Sequence, residues 1–183
     1  MSDDATPAEE MLRTARWRRA ESGTTVPEAQ AQVIVFRVAE RELALPIESV
    51  ERTERMPAVS AVPRCPAFLR GVASLRGGVV AVVDLGVLLG NREPDAPPPP
   101  ARSLIVLAAD GRRLGIQSES LPDFVRVKAS ERLPVPQANP DVYSAVIERH
   151  FDPVGLLDPQ KLLDLIQRRL AEEGAVRGER DER

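Results

Sequence analysis

The chain has 183 residues, 43% of them hydrophobic and 29% charged, so it can bury the core of one ordinary domain or of two small ones. A net charge of -3 and an aromatic content of 3% argue against nucleic acid as the main partner, because phosphate binding favours a basic surface and base stacking needs aromatic rings. One cysteine, Cys65, excludes an intramolecular disulfide framework, and one histidine, His150, leaves a Cys/His zinc site without ligands. We therefore expect no metal and no cofactor.

The compartment is indicated by what the sequence lacks. Met1 is followed by Ser-Asp-Asp-Ala, without the basic start and apolar stretch of a secretory signal. No apolar run approaches the ~20 residues that a membrane helix requires. We expect a cytoplasmic protein without direct membrane insertion, which reaches a membrane through its partners.

Residues 1–30 are predicted to form an N-terminal tail. Within it, residues 8–21 have the helical spacing of a short amphipathic helix, with arginines interleaved among the apolar positions. Two interpretations remain open. The segment is either a solvated arm or a docking helix in which Leu12 and Trp17 contact a partner, since a lone Trp in a basic segment suits an interface.

Short strands are predicted in the region that follows. Residues 33–38 are rich in β-branched side chains and predict a strand, and residues 43–47 predict a second one after a turn. Gly77 and Gly78 separate two apolar runs, as a hairpin turn would. Residues 91–102 contain four consecutive prolines, which favour an extended conformation and predict a proline-rich linker or loop.

The first half of the chain recurs in the second half. A shift of 71 positions aligns residues 33–36 with 104–107, and a shift of 74 aligns residues 80–84 with 154–158. Each copy would contain about five short strands, and a sheet that small must close or cover its edges. The sequence therefore predicts a mainly β fold of two small barrels, with residues 31–90 as the first half and 103–158 as the second.

The two copies end in different helices. Asp84 and Asp158 are aligned by the repeat, and both are predicted helix N-caps. After Asp158, an apolar stripe at helical spacing predicts a C-terminal helix over residues 159–173. After Asp84, glycines allow a turn or two. Residues 174–183 are charged and glycine-containing and are predicted to be a flexible tail.

Three residues could carry chemistry, and each has a simpler interpretation. His150 lacks a convergent Asp and Lys set nearby and is predicted to be an exposed turn residue. Cys65 follows Arg64, which could activate it, but a half-buried structural thiol is favoured. Asp84 ends an apolar strand as a phosphoacceptor would, but capping explains both Asp84 and its repeat partner. We therefore predict no catalytic residue and no enzymatic activity.

Arg76 is the strongest candidate for function. It places a guanidinium at the end of an apolar strand, just before a tight turn, and the second copy has no equivalent Arg-Gly pair. A feature of the shared fold should recur in both copies. Arginine can bind carboxylates bidentately and is enriched in interface hot spots. Two roles remain open, a contact with a partner and an internal ion pair that holds the two barrels together.

Residues 71–85 read Gly-Val-Ala-Ser-Leu-Arg-Gly-Gly-Val-Val-Ala-Val-Val-Asp-Leu. This segment resembles the signature of the CheW family of chemotaxis coupling proteins, roughly G-V-x-N-L-R-G-x-x-x-P-V-x-D-L, and the resemblance extends over about residues 32–166. It implies two SH3-like five-stranded β-barrel subdomains related by an internal repeat, with a groove between them and a C-terminal α-helix.

The resemblance also implies a function. Members of the family are non-enzymatic scaffolds that couple the cytoplasmic tips of methyl-accepting chemoreceptors to the regulatory domain of a CheA-type histidine kinase, in arrays at the membrane. The residues at positions that the family associates with partner contacts are Arg76, Gly71, Val50 and Glu51, with Ile105 and Leu107 as further candidates. The sequence departs from the family at Ser74, at Ala81 and over residues 117–119. The alternative is therefore a divergent CheW-like paralogue, or a CheV-like relative, in a regulatory pathway other than chemotaxis.

Overall fold

The computed structural model describes residues 30–97, 99–135, 142–149 and 152–181. Within these ranges the chain forms two six-stranded sheets, which we call sheet A and sheet B, and two α-helices. The strands are β1 (Gln30–Val38), β2 (Arg41–Pro46), β3 (Val50–Arg55), β4 (Val59–Ser60), β5 (Leu69–Leu75), β6 (Gly78–Val83), β7 (Ser103–Ala109), β8 (Arg112–Ser118), β9 (Asp123–Lys128), β10 (Arg132–Leu133), β11 (Tyr143–Arg149) and β12 (Asp152–Leu157). The helices are α1 (Leu85–Leu88) and α2 (Pro159–Asp181).

The internal repeat is visible in the order of the strands. Sheet A runs β10-β11-β12-β2-β1-β9, and sheet B, read from its far edge, runs β4-β5-β6-β8-β7-β3. The two orders correspond strand for strand, and β5 and β6 match β11 and β12 at the shift of 74. Each sheet has five strands of at least six residues and one strand of two residues. The mainly β fold with two curled sheets and a C-terminal helix is confirmed.

Each half of the chain contributes a hairpin to the sheet of the other half. Sheet A combines β1 and β2 with four strands of the second half, and β2 pairs in parallel with β12 at Leu43 and Ala44. Sheet B combines β7 and β8 with four strands of the first half, and β8 pairs in parallel with β6. The two sheets therefore do not coincide with residues 31–90 and 103–158. A two-stranded hairpin is marginally stable alone, and the exchange gives each hairpin further strands on which to pack.

The exchanged strands contribute side chains to two buried clusters. On β1, Val33 and Val35 belong to a buried cluster within sheet A, whereas Ile34 and Phe36 belong to a larger cluster that joins both sheets and both helices. We call this larger cluster the central core. Because successive side chains of a strand point to opposite faces, a fully buried strand can supply both clusters.

The helices begin as the repeat predicts. Asp84 Oδ1 accepts hydrogen bonds from the backbone N–H groups of Gly86 (2.9 Å) and Val87 (3.3 Å). Asp158 Oδ1 accepts from those of Gln160 (3.0 Å) and Lys161 (3.2 Å). Two aspartates 74 positions apart therefore cap two helices in the same way.

The C-terminal helix is longer than residues 159–173, because α2 continues to Asp181. Its first turns are anchored by Leu162, Leu163, Leu165 and Ile166, which lie in the central core. Once a helix is nucleated, each added residue gains a hydrogen bond, and a glycine costs only about 1 kcal/mol. Gly174 and Gly178 therefore do not end it. The predictions for residues 1–29 and for His150 concern positions outside the described residues.

Candidate functional site

A tight turn joins β5 to β6. It consists of Arg76 and Gly77, because Leu75 and Gly78 are the last paired residues of the two strands. Gly77 has φ 98°, a conformation that side-chain-bearing residues rarely adopt, so the two-residue connection favours glycine there. We call residues 75–78 the Arg76 turn.

Two arginines from other strands bind the backbone of this turn. Arg52 on β3 donates from Nη1 to the carbonyl oxygen of Arg76 (2.9 Å), and Arg113 on β8 donates from Nη1 to that of Gly77 (3.3 Å). The carboxylate of Glu51 joins the two arginines. It accepts from Arg52 Nη2 (2.7 Å) and, bidentately, from Arg113 Nε (2.7 Å) and Nη2 (2.8 Å). We call Glu51, Arg52 and Arg113 the Arg–Glu cluster.

Electrostatics keep this cluster ionised. The hydrogen bond from Arg52, followed by that from Arg113, lowers the pKa of Glu51 below its ordinary value of 4.5. The hydrogen bond to Glu51 in turn raises the pKa of Arg52. The carboxylate is therefore charged at neutral pH, and charge-assisted hydrogen bonds hold both arginines against the turn.

The side chain of Arg76 differs from these two arginines. It is exposed, and it makes no hydrogen bond or ion pair with any residue that the structure describes. An internal ion pair that holds the two barrels together is thus not seen among these residues. The turn combines a restrained backbone with an arginine whose five donors remain available.

The other predicted site residues lie in three different environments. Val50 is half-buried at the rim of the central core, beside the exposed Glu51. Gly71 is buried, and a Cβ there would lie 2.2 Å from the backbone oxygen of Ser60, so close packing of β4 on β5 accounts for this glycine. Ile105 and Leu107 have no exposed surface, because β7 is paired on both edges and this face lies in the central core. The side chains of these last two residues cannot contact a partner in this structure.

Sequence reasoning missed Arg52 and Arg113. Arg113 reaches Glu51 across 62 positions, and a contact of that range follows from the hairpin exchange rather than from any local pattern. A signal was nevertheless present in β3, whose sequence Val-Glu-Arg-Thr-Glu-Arg is unusually charged for a strand.

The carboxylate of Asp84 is buried, and both of its oxygens accept hydrogen bonds. Oδ1 caps α1, and Oδ2 accepts from Arg92 Nη1 (2.6 Å) and Gln117 Nε2 (2.7 Å). Arg92 also pairs with Glu119, which accepts from the backbone N–H of Ala39 (2.8 Å). We call these residues the Asp84 network. Its contacts link sheet B to the β1–β2 turn of sheet A and explain Asp84 as a structural residue.

The remaining candidates are the thiol of Cys65 and possible metal-ligating side chains. Cys65 is half-buried, and its thiol donates to the carbonyl of Leu69 (3.1 Å). Among the described residues, no three His, Cys, Asp or Glu side chains are grouped so that they could hold a metal ion. Of the helices described, neither combines the length and the apolar character needed to cross a bilayer.

The Asp84 network predicts a large effect of Arg92→Ala on stability. The change leaves the carboxylate of Asp84, which is 1% exposed, without its cationic partner, and should lower the free energy of unfolding by about 3 kcal/mol or more. Arg112→Ala is the matched control, because its ion pair with Asp164 is far more exposed and should contribute less than about 1 kcal/mol. Urea unfolding measures both, and equal effects would contradict a structural role for the network.

The Arg–Glu cluster predicts a shift in titration. Since the pKa of Glu51 is lowered in the folded state, its contribution to stability is present above pH 4.5 and is lost as the pH falls through the folded value. Arg52→Ala should raise the pKa of Glu51 towards 4.5, as measured by NMR titration of the carboxyl carbon. Arg126→Ala, on the distant strand β9, should leave that pKa unchanged. An unaltered titration in Arg52→Ala would show that the cluster does not form in solution.

A family model and several sequence relatives match the chain. The family model for the CheW-like domain matches residues 32–167. The chain is 29% identical over 137 residues to "Probable chemotaxis protein CheW" of Rhizobium etli, in a match that covers 74% of this chain and 83% of that protein. It is 28% identical over 108 residues to protein FrzA of Myxococcus xanthus, covering 58% of this chain and 66% of the relative.

A solved structure shares the fold. The crystal structure of the scaffolding protein TtCheW from Thermoanaerobacter tengcongensis superimposes with a TM-score of 0.64 at 17% sequence identity. The match covers 71% of this chain and 90% of that chain. The two curled sheets are thus the two SH3-like subdomains that the sequence predicts.

Proposed function

The chain belongs to the CheW-like domain family, and on that premise we propose that it is a non-enzymatic scaffold that couples chemoreceptors to a CheA-type histidine kinase. The observation that carries the proposal is the Arg76 turn, in which the backbone is fixed and the guanidinium is unpaired among the described residues. Its partners would be the regulatory domain of the kinase and the cytoplasmic tip of a methyl-accepting receptor. The protein would be cytoplasmic and recruited to receptor arrays through these contacts.

The geometry of the turn supports a binding role. A restrained backbone loses little conformational entropy on association, so more of the energy of a new contact appears as affinity. The donors of Arg76 fit a carboxylate on the partner bidentately. The chemistry that this surface selects is therefore an acidic side chain at the edge of a protein interface.

The neighbouring strand extends the proposed surface. Val50 and Glu51 begin β3, which is an edge strand of sheet B, and Glu51 reaches the turn through Arg52 and Arg113. Arg76, Val50 and Glu51 thus remain partner-binding residues in this proposal. Gly71 would act indirectly by allowing β4 to lie close to β5. Ile105 and Leu107 would act indirectly by holding β7, which pairs with β3, in place.

The departures from the family pattern favour a specialised member as the second candidate. Gln117 and Glu119, which differ from the usual family residues, both belong to the Asp84 network. A divergent paralogue in another regulatory pathway would keep the same binding geometry with a different receptor and kinase. Binding assays with each kinase and receptor encoded in the same genome distinguish the two candidates.

The proposal predicts that Arg76→Ala weakens binding to the kinase or to the receptor tip by about tenfold or more, because a hot-spot arginine contributes at least 1.4 kcal/mol. The Tm should not change, since the side chain is exposed and has no described internal partner. Isothermal titration with the purified kinase regulatory domain and with a receptor tip measures the effect. Arg126→Ala, an exposed arginine on sheet A, is the control, and unchanged affinity of Arg76→Ala for both partners would refute the proposal.

A further inference from the structure

An exposed apolar patch lies at one edge of sheet A. Leu121 is 67% exposed and Phe124 is 62% exposed. Phe124 is the second residue of β9, and Leu121 precedes the strand by two residues. β9 is an edge strand, paired on one side with β1, where Phe124 lies opposite Ile34. We call these two residues the Leu121–Phe124 patch. Grouped apolar side chains on a surface commonly mark a contact site.

The shared fold does not require this patch. In the first copy, Thr53 pairs with Ile105 on β7 as Phe124 pairs with Ile34 on β1. The repeat thus places a polar side chain where the second copy has an exposed phenylalanine. Leu121 has an apolar counterpart in Val50, but the exposed phenylalanine belongs to one copy alone, which favours a binding role for Phe124 over a role in folding.

The described part of β1 begins next to β9, at the end of β9 opposite to this patch. β1 begins at Gln30, and Gln30 pairs with Lys128 on β9. From Lys128 to Phe124 is four residues along the strand, or about 13 Å. Residues 1–29 therefore join the chain next to Lys128, about 13 Å along β9 from Phe124.

That segment carries apolar side chains of its own. Residues 11–17 include Met11, Leu12 and Trp17, the single tryptophan of the chain, among charged and polar neighbours. Trp17 precedes Gln30 by 13 residues, a tether that can span up to about 43 Å and thus reaches the patch easily. A short tether also gives an effective concentration in the millimolar range, so a weak apolar contact suffices.

We propose that residues 11–17 dock on the Leu121–Phe124 patch of the same chain, with the indole of Trp17 packed against Phe124. The contact is separate from the Arg76 turn on sheet B. It therefore stands or falls independently of the proposed function.

The single tryptophan makes the proposal testable in the full chain. The fluorescence of Trp17 in the unaltered protein should be blue-shifted and protected from acrylamide relative to free N-acetyltryptophanamide. Phe124→Ser should shift the emission to the red and raise quenching towards that of the free compound. Val79→Ser is the matched control, because Val79 is 64% exposed on sheet B and its loss should leave the emission unchanged. Far-ultraviolet circular dichroism confirms that both variants are folded.

Four outcomes would overturn the proposal. In the first, Trp17 in the unaltered protein emits like the free compound. This holds even if a blue shift appears when a partner protein is added, since the partner and not this segment then covers the patch. In the second, Phe124→Ser leaves the emission unchanged. In the third, Val79→Ser shifts it equally. In the fourth, the blue shift disappears on dilution together with a dimer detected by light scattering, which identifies a second copy as the occupant.

Discussion

The rest of the structure depends on the exchange of hairpins between the two halves of the chain. β2 pairs with β12, and β8 pairs with β6, so neither sheet is complete without strands from both halves. The same exchange brings Arg113 of the second half against Glu51 of the first. The proposed binding surface is thus a product of the exchange, because one of the two arginines that bind the Arg76 turn comes from the exchanged hairpin.

Some features of the fold recur in both copies, and others are present in only one copy. The strand order, the alternation of buried side chains and the helix caps at Asp84 and Asp158 recur. The Arg–Glu cluster, the Asp84 network and the exposed phenylalanine at position 124 do not recur among the described residues. The duplicated fold is therefore asymmetric, both in its internal contacts and on its surface.

Much of this fold could be predicted from sequence, and the exceptions have physical causes. Runs of β-branched and apolar residues between turn residues predicted β1, β2, β5 and β6, and the repeat identified the two caps. Strand exchange was not predictable, because two matching copies can pair within or between themselves without any change in pattern. The burial of Ile105 and Leu107 was not predicted, because a family position does not reveal that a strand is buried on both faces. Arg113 was missed because its contact depends on the exchange.

The exchange of hairpins is tested most directly by dividing the chain in the proline-rich loop. Residues 1–97 and 98–183 are produced separately, and thermal unfolding is followed by far-ultraviolet circular dichroism, for each alone and for an equimolar mixture. Each fragment then holds a hairpin without its sheet and a sheet without its hairpin. We therefore expect no cooperative transition for either fragment and a single one for the mixture. A cooperative transition in either fragment alone would contradict it.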